Sequence, residues 1–295
     1  MTFNEQAWRE WSLAERERQY SPSTCVPAVD PLLQAYDSRS REAEKLLRGH
    51  KDLAWGNGPD ETFDCFPADS VGSPLMIFIH GGYWQDLSKN DSLFAAPDFV
   101  ANGIAFAAIE YTLAPKAKLP TIVDQCRRAV AALHQQAGAL GFNPRRIYVA
   151  GSSAGAHLAA MMLAGGWQKR YGLSHDVIAG AVLLSGIYDL EPLVGTYIDA
   201  PLHLSSADVA GLSPIRLNVG PGVRTVVAWG ENETPEFKRQ SRAFAAKLRD
   251  AGFPVNAFEV AGANHFDIVL GLADRKTELG RATIELINTS DGARG

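Results

Sequence analysis

The residues best suited to chemistry lie at 151–155, where a short apolar run leads into Gly-Ser-Ser-Ala-Gly. The run before this segment is β-branched and the stretch after it is rich in Ala, Leu and Met, which predicts a strand, a sharp turn and a helix. A serine at the centre of G-x-S-x-G in that setting is typical of a nucleophile lifted clear of the backbone, and glycines on either side let strand and helix approach closely. We therefore predict Ser153 as the nucleophile and Ser152 as a neighbour that lines the pocket.

A second candidate segment, His-Gly-Gly-Tyr-Trp at 80–84, follows the apolar run Leu75–Ile79. Two successive glycines after a buried strand leave the backbone free to turn and to expose N–H groups. Such donors stabilise the oxyanion that forms when a serine attacks an acyl carbon. We predict an oxyanion hole built from Gly81, Gly82 and Tyr83, with the N–H of Ala154 as the donor that follows the nucleophile.

A serine nucleophile needs a base, and in a fold of this kind the base comes late in the chain. His265 is the last of the seven histidines and lies in a loop of small residues between a predicted strand and a closing helix. The acid that orients it is expected in the loop after the preceding strand, which offers two carboxylates. We favour Glu233 and keep Glu231 in reserve, with Asp189 as a third candidate. The residues alone do not separate Glu231 from Glu233.

The remaining histidines are assigned supporting roles. His80 is expected to brace the glycine loop by hydrogen bonding, and His157, one helical turn after the nucleophile, is expected to pack behind it. The other four are interpreted as structural: His50, His134, His175 and His203.

These residues need a scaffold that brings strand ends together, and the pattern after residue 52 predicts one. Apolar runs of strand length alternate with amphipathic helical stretches, which indicates an α/β fold with a mainly parallel, doubly wound sheet. The predicted strands are Leu75–Ile79, Ile104–Ile109, Ile147–Ala150, Ile178–Leu184, Thr225–Trp229 and Val255–Val260. The predicted helices include Ile122–Gln136, Glu236–Ala251 and a closing helix over Phe266–Asn288. Ligands bind beyond the carboxyl ends of such strands, where the candidate residues fall.

The first 50 residues differ in character from the rest. Helical stretches are predicted over Glu5–Glu17 and Asp37–Gly49, and Trp8 and Trp11 would share one helix face that packs on the body of the protein. We expect residues 1–295 to form a single domain, with residues 1–50 packed near the active site.

Composition limits the partners. There are 28 basic and 33 acidic residues, a net charge of −5, which disfavours nucleic acid and anionic membranes. The three cysteines form no C-x-x-C pair, and no metal-ligand spacing is present, so we predict reduced thiols, no metal and no cofactor.

No signal peptide or membrane span is visible, which predicts a cytoplasmic enzyme acting on a small molecule. A homodimer is the expected assembly.

Taken together, the motifs resemble the kynurenine formamidase (arylformamidase) branch of the α/β hydrolases. The resemblance runs from about residue 55 to the C-terminus and loosely covers the N-terminal helices. It is carried by H-G-G-Y-W at 80–84, Y-T-L-A-P at 111–115, G-S-S-A-G-A-H-L at 151–158, S-G-I-Y-D-L at 185–190, G-E-N-E-T-P-E-F at 230–237 and N-H-F-D at 264–267. The first of these is fairly specific to the branch, whereas many esterases and lipases share the serine motif.

The resemblance implies the α/β-hydrolase fold, with Ser153 as nucleophile, His265 as base and Glu233 as acid. The family usually has Asp at the acid position, so the carboxylate here is one methylene longer. The implied reaction is hydrolysis of an N-formyl or similar amide on an aromatic nitrogen, through an acyl-enzyme. A formyl group is small, so specificity must come from the leaving group, and Tyr83, Trp84 and the N-terminal helices are predicted walls of its pocket.

Two other functions stay open from the sequence. The same residues would serve a carboxylesterase acting on small esters or related amides, because fold does not decide substrate. A hydrolase fold reused as a non-catalytic binding protein is the second alternative. A metal-dependent amidohydrolase lacks support, because no histidine or carboxylate cluster has ligand spacing.

Overall fold

A computed structural model describes residues 7–220 and 222–289 and is built around one eight-stranded sheet. The strands are β1 (His50–Ala54), β2 (Thr62–Phe66), β3 (Ser73–Ile79), β4 (Ala105–Ile109), β5 (Phe142–Ser152), β6 (Ile178–Leu184), β7 (Arg224–Asn232) and β8 (Val255–Asn264). Their order is β1-β2-β4-β3-β5-β6-β7-β8. The pairs β1–β2 and β2–β4 are antiparallel, and from β4 to β8 all neighbours are parallel.

The central strands are largely apolar because both faces of the sheet are covered. Every residue of β3, β4 and β6 is buried. Alternate side chains point to opposite faces. Ile77 therefore joins the core beneath the helices over 119–140, 154–162 and 235–250, whereas Phe78 joins the core beneath the helices over 96–101 and 278–289.

The α-helices of the described chain are α1 (Leu13–Gln19), α2 (Asp30–Leu46), α3 (Ala96–Ala101), α4 (Leu119–Leu140), α5 (Ala154–Met162), α6 (Ser206–Leu212), α7 (Pro235–Asp250) and α8 (Glu278–Thr289). Helices α3 to α7 lie in the connections between strands, whereas α1 and α2 precede β1 and α8 follows β8. The longest, α4, ends at Gly141 in the left-handed conformation that commonly terminates helices. None of the helices described is long and apolar enough to cross a membrane.

The six predicted strands and the helices over 122–136 and 236–251 are confirmed, most of them longer than predicted. The prediction of a closing helix is wrong over the first half of the predicted range. Residues 266–277 form a loop with one 3₁₀ turn, and α8 begins only at Glu278. The hydroxyl of Thr277 accepts a hydrogen bond from Gly280 N at 2.9 Å, which caps the helix start.

The N-terminal segment is less regular than predicted. Glu5 and Gln6 lie outside the described residues, and a 3₁₀ turn over Ala7–Glu10 precedes α1, whose N-cap is Ser12. Trp8 and Trp11 therefore do not share a helix face. The helix predicted over Asp37–Gly49 begins earlier, at Asp30, because Pro31 suits the first turn of a helix, and it ends at Leu46.

Candidate active site

Ser153 lies in the sharp turn between β5 and α5. Its backbone angles, φ 58° and ψ −121°, are unfavourable for any residue other than glycine. Its N–H donates to Leu184 O at 2.8 Å. The turn depends on glycine on both sides. A Cβ at Gly155 would lie 2.0 Å from Ile79 O, and one at Gly151 would lie 2.2 Å from Gly155 O. The close approach of strand and helix predicted from the motif is present.

His265 follows the last residue of β8, and its ring faces a buried carboxylate. Nδ1 lies 3.2 Å from Oε2 of Glu233, and both side chains are almost fully buried. The other oxygen of Glu233, Oε1, accepts hydrogen bonds from Gly230 N at 2.6 Å and from the hydroxyl of Ser185. The carboxylate is thus held from two sides and oriented toward the imidazole.

The two alternative acids lie elsewhere. Glu231 is exposed, and its Oε2 accepts a hydrogen bond from Gly262 N at 2.7 Å. Asp189 pairs with Arg216 at 2.9 Å. Of the three candidate carboxylates, the structure brings only Glu233 to His265.

Ser185 is a site residue that the sequence reasoning missed. It follows β6, is fully buried and has a left-handed backbone with φ 48°. Its N–H donates to Ala228 O at 2.9 Å, which fixes it beside β7. The sequence carried two signals for it: a polar residue directly after a wholly apolar strand, and its place at the start of the S-G-I-Y-D-L motif at 185–190.

The glycine loop after β3 packs directly on the serine turn. A Cβ at Gly81 would lie 2.7 Å from Ser152 O and 3.4 Å from Ser153 Cβ, so no larger residue fits. α5 starts at Ala154, next to the loop, and the N-terminus of a helix carries a partial positive charge. The predicted oxyanion-hole residues are therefore gathered around the serine.

The same loop turns through three consecutive left-handed residues: Gly82 at φ 85°, Tyr83 at φ 51° and Trp84 at φ 61°. Within the part of the chain that the structure describes, the N–H groups of Gly82 and Tyr83 have no hydrogen-bond acceptor. Two donors that line a cavity without partners can stabilise negative charge there.

His80 braces this loop, as expected from the sequence. Its Nδ1 donates to Gly81 O at 3.0 Å, and its Nε2 lies 3.0 Å from Oε1 of Glu110. Glu110 also accepts Lys89 N at 3.0 Å. The ring of Tyr111 stacks on His80 at 4.1 Å, and its hydroxyl donates to His80 O at 3.0 Å.

Trp84 is not a wall of the pocket, which corrects the prediction. The left-handed turn directs the side chain of Tyr83 to the cavity and that of Trp84 into the core, where it is fully buried. The indole meets the ring of His157 edge to face at 5.0 Å. His157 donates from Nε2 to Leu212 O at 2.7 Å, and burial lowers its pKa to about 4. His157 therefore packs behind the site as a neutral ring.

A cavity of about 250 Å³ opens over these groups, and Ser153 and His265 both line it. Three sets of residues make up much of the remaining wall. The backbone side consists of Gly81, Gly82 and Ser152; the aromatic side chains are Tyr36, Phe78, Tyr83, Phe94, Tyr197 and Phe266; and the carboxylates are Asp86 and Asp91. No Lys or Arg lines this cavity in the described chain.

The N-terminal segment supplies one side of the cavity. Its contributing residues are Pro22, Ser23, Val29, Leu33 and Tyr36. The stretch 22–36, part of the segment predicted to pack near the active site, thus borders the cavity.

A mainly parallel sheet with a serine in a strained strand–helix turn, and a histidine–carboxylate pair at the ends of β8 and β7, defines the α/β hydrolases. A family model described as BD-FAE matches residues 66–179. A solved structure from Silicibacter sp. TM1040 superposes with a TM-score of 0.81 at 24% identity, covering 91% of this chain and 98% of the other, and supports the fold.

Curated relatives give the family. The kynurenine formamidase of Danio rerio is 35% identical over 96% of this chain and 99% of its own length. That of Salmo salar is 33% identical over the same shares. The chain belongs to the kynurenine formamidase family. It is a hydrolase that acts on amides or esters.

Proposed function

We propose that the protein is a serine hydrolase that removes the formyl group from an aryl formamide of the N-formyl-L-kynurenine type. The observation that carries the proposal is the buried pair of His265 and Glu233, whose histidine lines the same cavity as the strained Ser153. The substrate class is taken from the names of the relatives that match almost the whole chain.

The first half of the reaction forms an acyl-enzyme. The hydroxyl oxygen of Ser153 attacks the formyl carbon while Nε2 of His265 takes its proton. Glu233, opposite Nδ1, stabilises the imidazolium that results. The tetrahedral oxyanion accepts hydrogen bonds from the N–H groups of Gly82 and Tyr83, with Gly81 shaping the loop.

The N–H of Ala154 completes the oxyanion hole as the donor after the nucleophile. When the carbon–nitrogen bond breaks, His265 gives its proton to the leaving aryl amine, and the formyl group stays on Ser153 as the acyl-enzyme. The second half restores the enzyme. His265 takes a proton from water, whose oxygen attacks the formyl ester, and returns that proton to the oxygen of Ser153 as the ester bond breaks and formate leaves. No step requires a metal or a cofactor.

The cavity suits an aromatic leaving group that carries an ammonium. Its aromatic side chains offer flat apolar surface to an aniline ring. Asp86 and Asp91 supply negative charge, and no Lys or Arg among the described residues lines the cavity to neutralise it. The α-ammonium of an amino acid such as formylkynurenine is complementary to these carboxylates.

A carboxylesterase acting on small esters is the second candidate. Departure of the leaving group requires only the proton that His265 returns. His265 can protonate an ester oxygen as well as an amide nitrogen, and the oxygen is the better leaving group. The ratio of kcat/KM for an aryl formamide to that for a matched aryl ester decides between the two. The third reading, a binding protein without activity, requires that a fluorophosphonate probe leave Ser153 unlabelled.

The test is steady-state hydrolysis of N-formyl-L-kynurenine beside p-nitrophenyl acetate, with wild type, Ser153→Ala and, as the matched control, Ser152→Ala. We expect fast formamide turnover that Ser153→Ala abolishes and Ser152→Ala largely retains. Ester turnover alone, lost in Ser153→Ala, would support the esterase. Survival of both activities in Ser153→Ala would refute the proposal. The single domain, the homodimer, the small-molecule substrate and the cytoplasmic location stay predictions.

A further inference from the structure

Three of the four loops that carry the candidate site each have a hydrogen bond to the N-terminal segment, here residues 13–46. The loops are the oxyanion loop after β3, the acid loop after β7 and the base loop after β8. In every case the loop partner is a candidate catalytic residue or the residue directly after one. In all three bonds a side-chain hydroxyl donates to a main-chain carbonyl oxygen, which can only accept.

The base loop is held by Tyr36 of α2. Its hydroxyl donates to the carbonyl of Phe266, the residue after His265. The ring of Tyr36 stacks on Phe94 at 5.4 Å, and burial raises the pKa of the hydroxyl, so that it stays a donor. Because β8 is the last strand in the sheet, its own sheet supports this loop from one side only.

The acid loop is held at Thr234, the residue after Glu233. The hydroxyl of Thr234 donates to Gln19 O at 2.5 Å, and Glu236 N donates to the side chain of Gln19 at 3.3 Å. The hydroxyl of Tyr20 donates to Glu236 Oε1 at 2.7 Å. All of these groups except Gln19 are buried below 3% exposure, so water does not compete for them.

The oxyanion loop is held through Tyr83, whose hydroxyl donates to the carbonyl of Tyr20. Burial raises the pKa of the Tyr83 hydroxyl, which keeps its proton in place. One dipeptide, Gln19–Tyr20, therefore accepts hydrogen bonds from two of the three loops.

The segment is itself attached to the body of the protein by contacts that do not involve the site. Ser40 on α2 accepts a hydrogen bond from Leu93 N at 3.0 Å. Arg16 on α1 donates to Pro192 O at 3.3 Å and to Val194 O at 3.0 Å. These contacts make the segment a fixed support rather than a passive cover.

We infer that the N-terminal segment positions the three catalytic loops, with Tyr36 as a positioning residue for His265 and Thr234 for Glu233. The inference rests on the proposed serine-hydrolase chemistry but not on the formamide substrate. Displacement of a catalytic group by about 1 Å can cost on the order of 100-fold in rate, so modest loop shifts have a measurable effect.

The test is Tyr36→Phe, which removes one hydroxyl and keeps the ring that lines the cavity. The matched control is Tyr148→Phe, because Tyr148 is also buried and its hydroxyl also donates to a carbonyl, Ile287 O at 3.1 Å, away from the cavity. We expect Tyr36→Phe to lower kcat for p-nitrophenyl acetate by about 10-fold with KM nearly unchanged. Each variant loses one buried hydrogen bond, so we expect both to lower Tm by a similar amount. Only Tyr148→Phe is expected to leave kcat unchanged.

Thr234→Val provides a second, nearly isosteric variant should Tyr36→Phe fold poorly, and the same fall in kcat is expected. Equal kcat in Tyr36→Phe, Thr234→Val and Tyr148→Phe would overturn the inference, and so would a rise in KM alone. The fluorophosphonate labelling rate of Ser153 separates the two proposals. Slower labelling in Tyr36→Phe supports positioning even if formamide turnover is absent, whereas an unlabelled wild type would overturn the proposed chemistry and this inference with it.

Discussion

Ser185 donates a hydrogen bond to the oxygen of Glu233 that does not face His265. The acid therefore has one oxygen fixed by the protein and the other directed at the imidazole. Ser185 comes from the strand next to the acid's own, so the pairing of β6 with β7 sets this geometry.

Removal of that hydroxyl in Ser185→Ala is expected to lower kcat by about 10-fold, because a hydrogen bond to a charged group contributes about 1.5–3 kcal/mol. Steady-state kinetics with p-nitrophenyl acetate measure the effect. Ser241→Ala is the matched control, since Ser241 is also fully buried and its hydroxyl has no hydrogen-bond partner in the described chain. Equal kcat in the two variants would contradict the role of Ser185.

The choice of acid is tested by Glu233→Gln beside Glu231→Gln. Glutamine at 233 cannot stabilise the imidazolium, so kcat should fall by about 100-fold or more. Glu231 is exposed and its carboxylate accepts a hydrogen bond from Gly262 N on β8, so its variant should retain most of the wild-type rate. The reverse order of the two rates would make Glu231 the acid.

Asp91→Asn tests the charge of the cavity. Its carboxylate lines the cavity and accepts the hydroxyl of Ser88 at 2.7 Å, a bond that an asparagine oxygen can keep. For N-formyl-L-kynurenine we expect KM to rise by about threefold, because that is the loss of affinity expected when a partly exposed ion pair is removed. Formanilide, which lacks the ammonium, should show no change. An equal rise for both substrates would show that Asp91 acts through shape rather than charge.

His157 links stability to pH. Burial holds its pKa at about 4, below the ordinary value of 6.5, so the unfolded chain binds the proton more readily than the folded one. The stabilising contribution is complete above pH 6.5 and is lost as the pH falls toward 4. When the pH is lowered from 7 to 5, protonation of His157 should reduce the free energy of unfolding by about 2 kcal/mol.

Urea unfolding of wild type and His157→Gln at pH 7, 6 and 5 measures that contribution. Glutamine has an amide N–H that can still donate toward Leu212 but does not titrate. The variant should lose less stability than wild type over this range. Parallel losses in the two proteins would mean that His157 is not the titrating group.

The parallel part of the sheet could be predicted because its strands carry a simple signal. β6 is apolar at every position, and the predicted bounds Ile178–Leu184 are those of the structure. The serine turn was equally readable, since Gly151 and Gly155 occupy positions where a Cβ would collide with backbone.

β1 and β2 escaped prediction because their signal is local and weak. β1 is largely exposed, and β2 contains Asp64, a buried charge that interrupts an apolar run. Its partner, Lys89, lies 2.7 Å away but comes from a later loop. A pairing between distant residues of this kind cannot be inferred from spacing along the chain.

Trp84 was misassigned for a related reason. The motif indicated where the loop lies, but the direction of each side chain depends on three left-handed residues in succession. The bond from Tyr36 to Phe266 spans most of the chain, so it too is visible only in three dimensions.

The five cavity residues of the N-terminal segment come from one short stretch, 22–36, that is separate from the strand ends where the bonds are made and broken. Substitution at Val29 or Leu33 would reshape the pocket while leaving the reacting groups in place, so substrate range can diverge through this stretch alone. Tyr36 is the exception, because it both borders the pocket and supports His265. In a lineage that adopts new substrates, variation is therefore expected at 29 and 33 and restraint at 36.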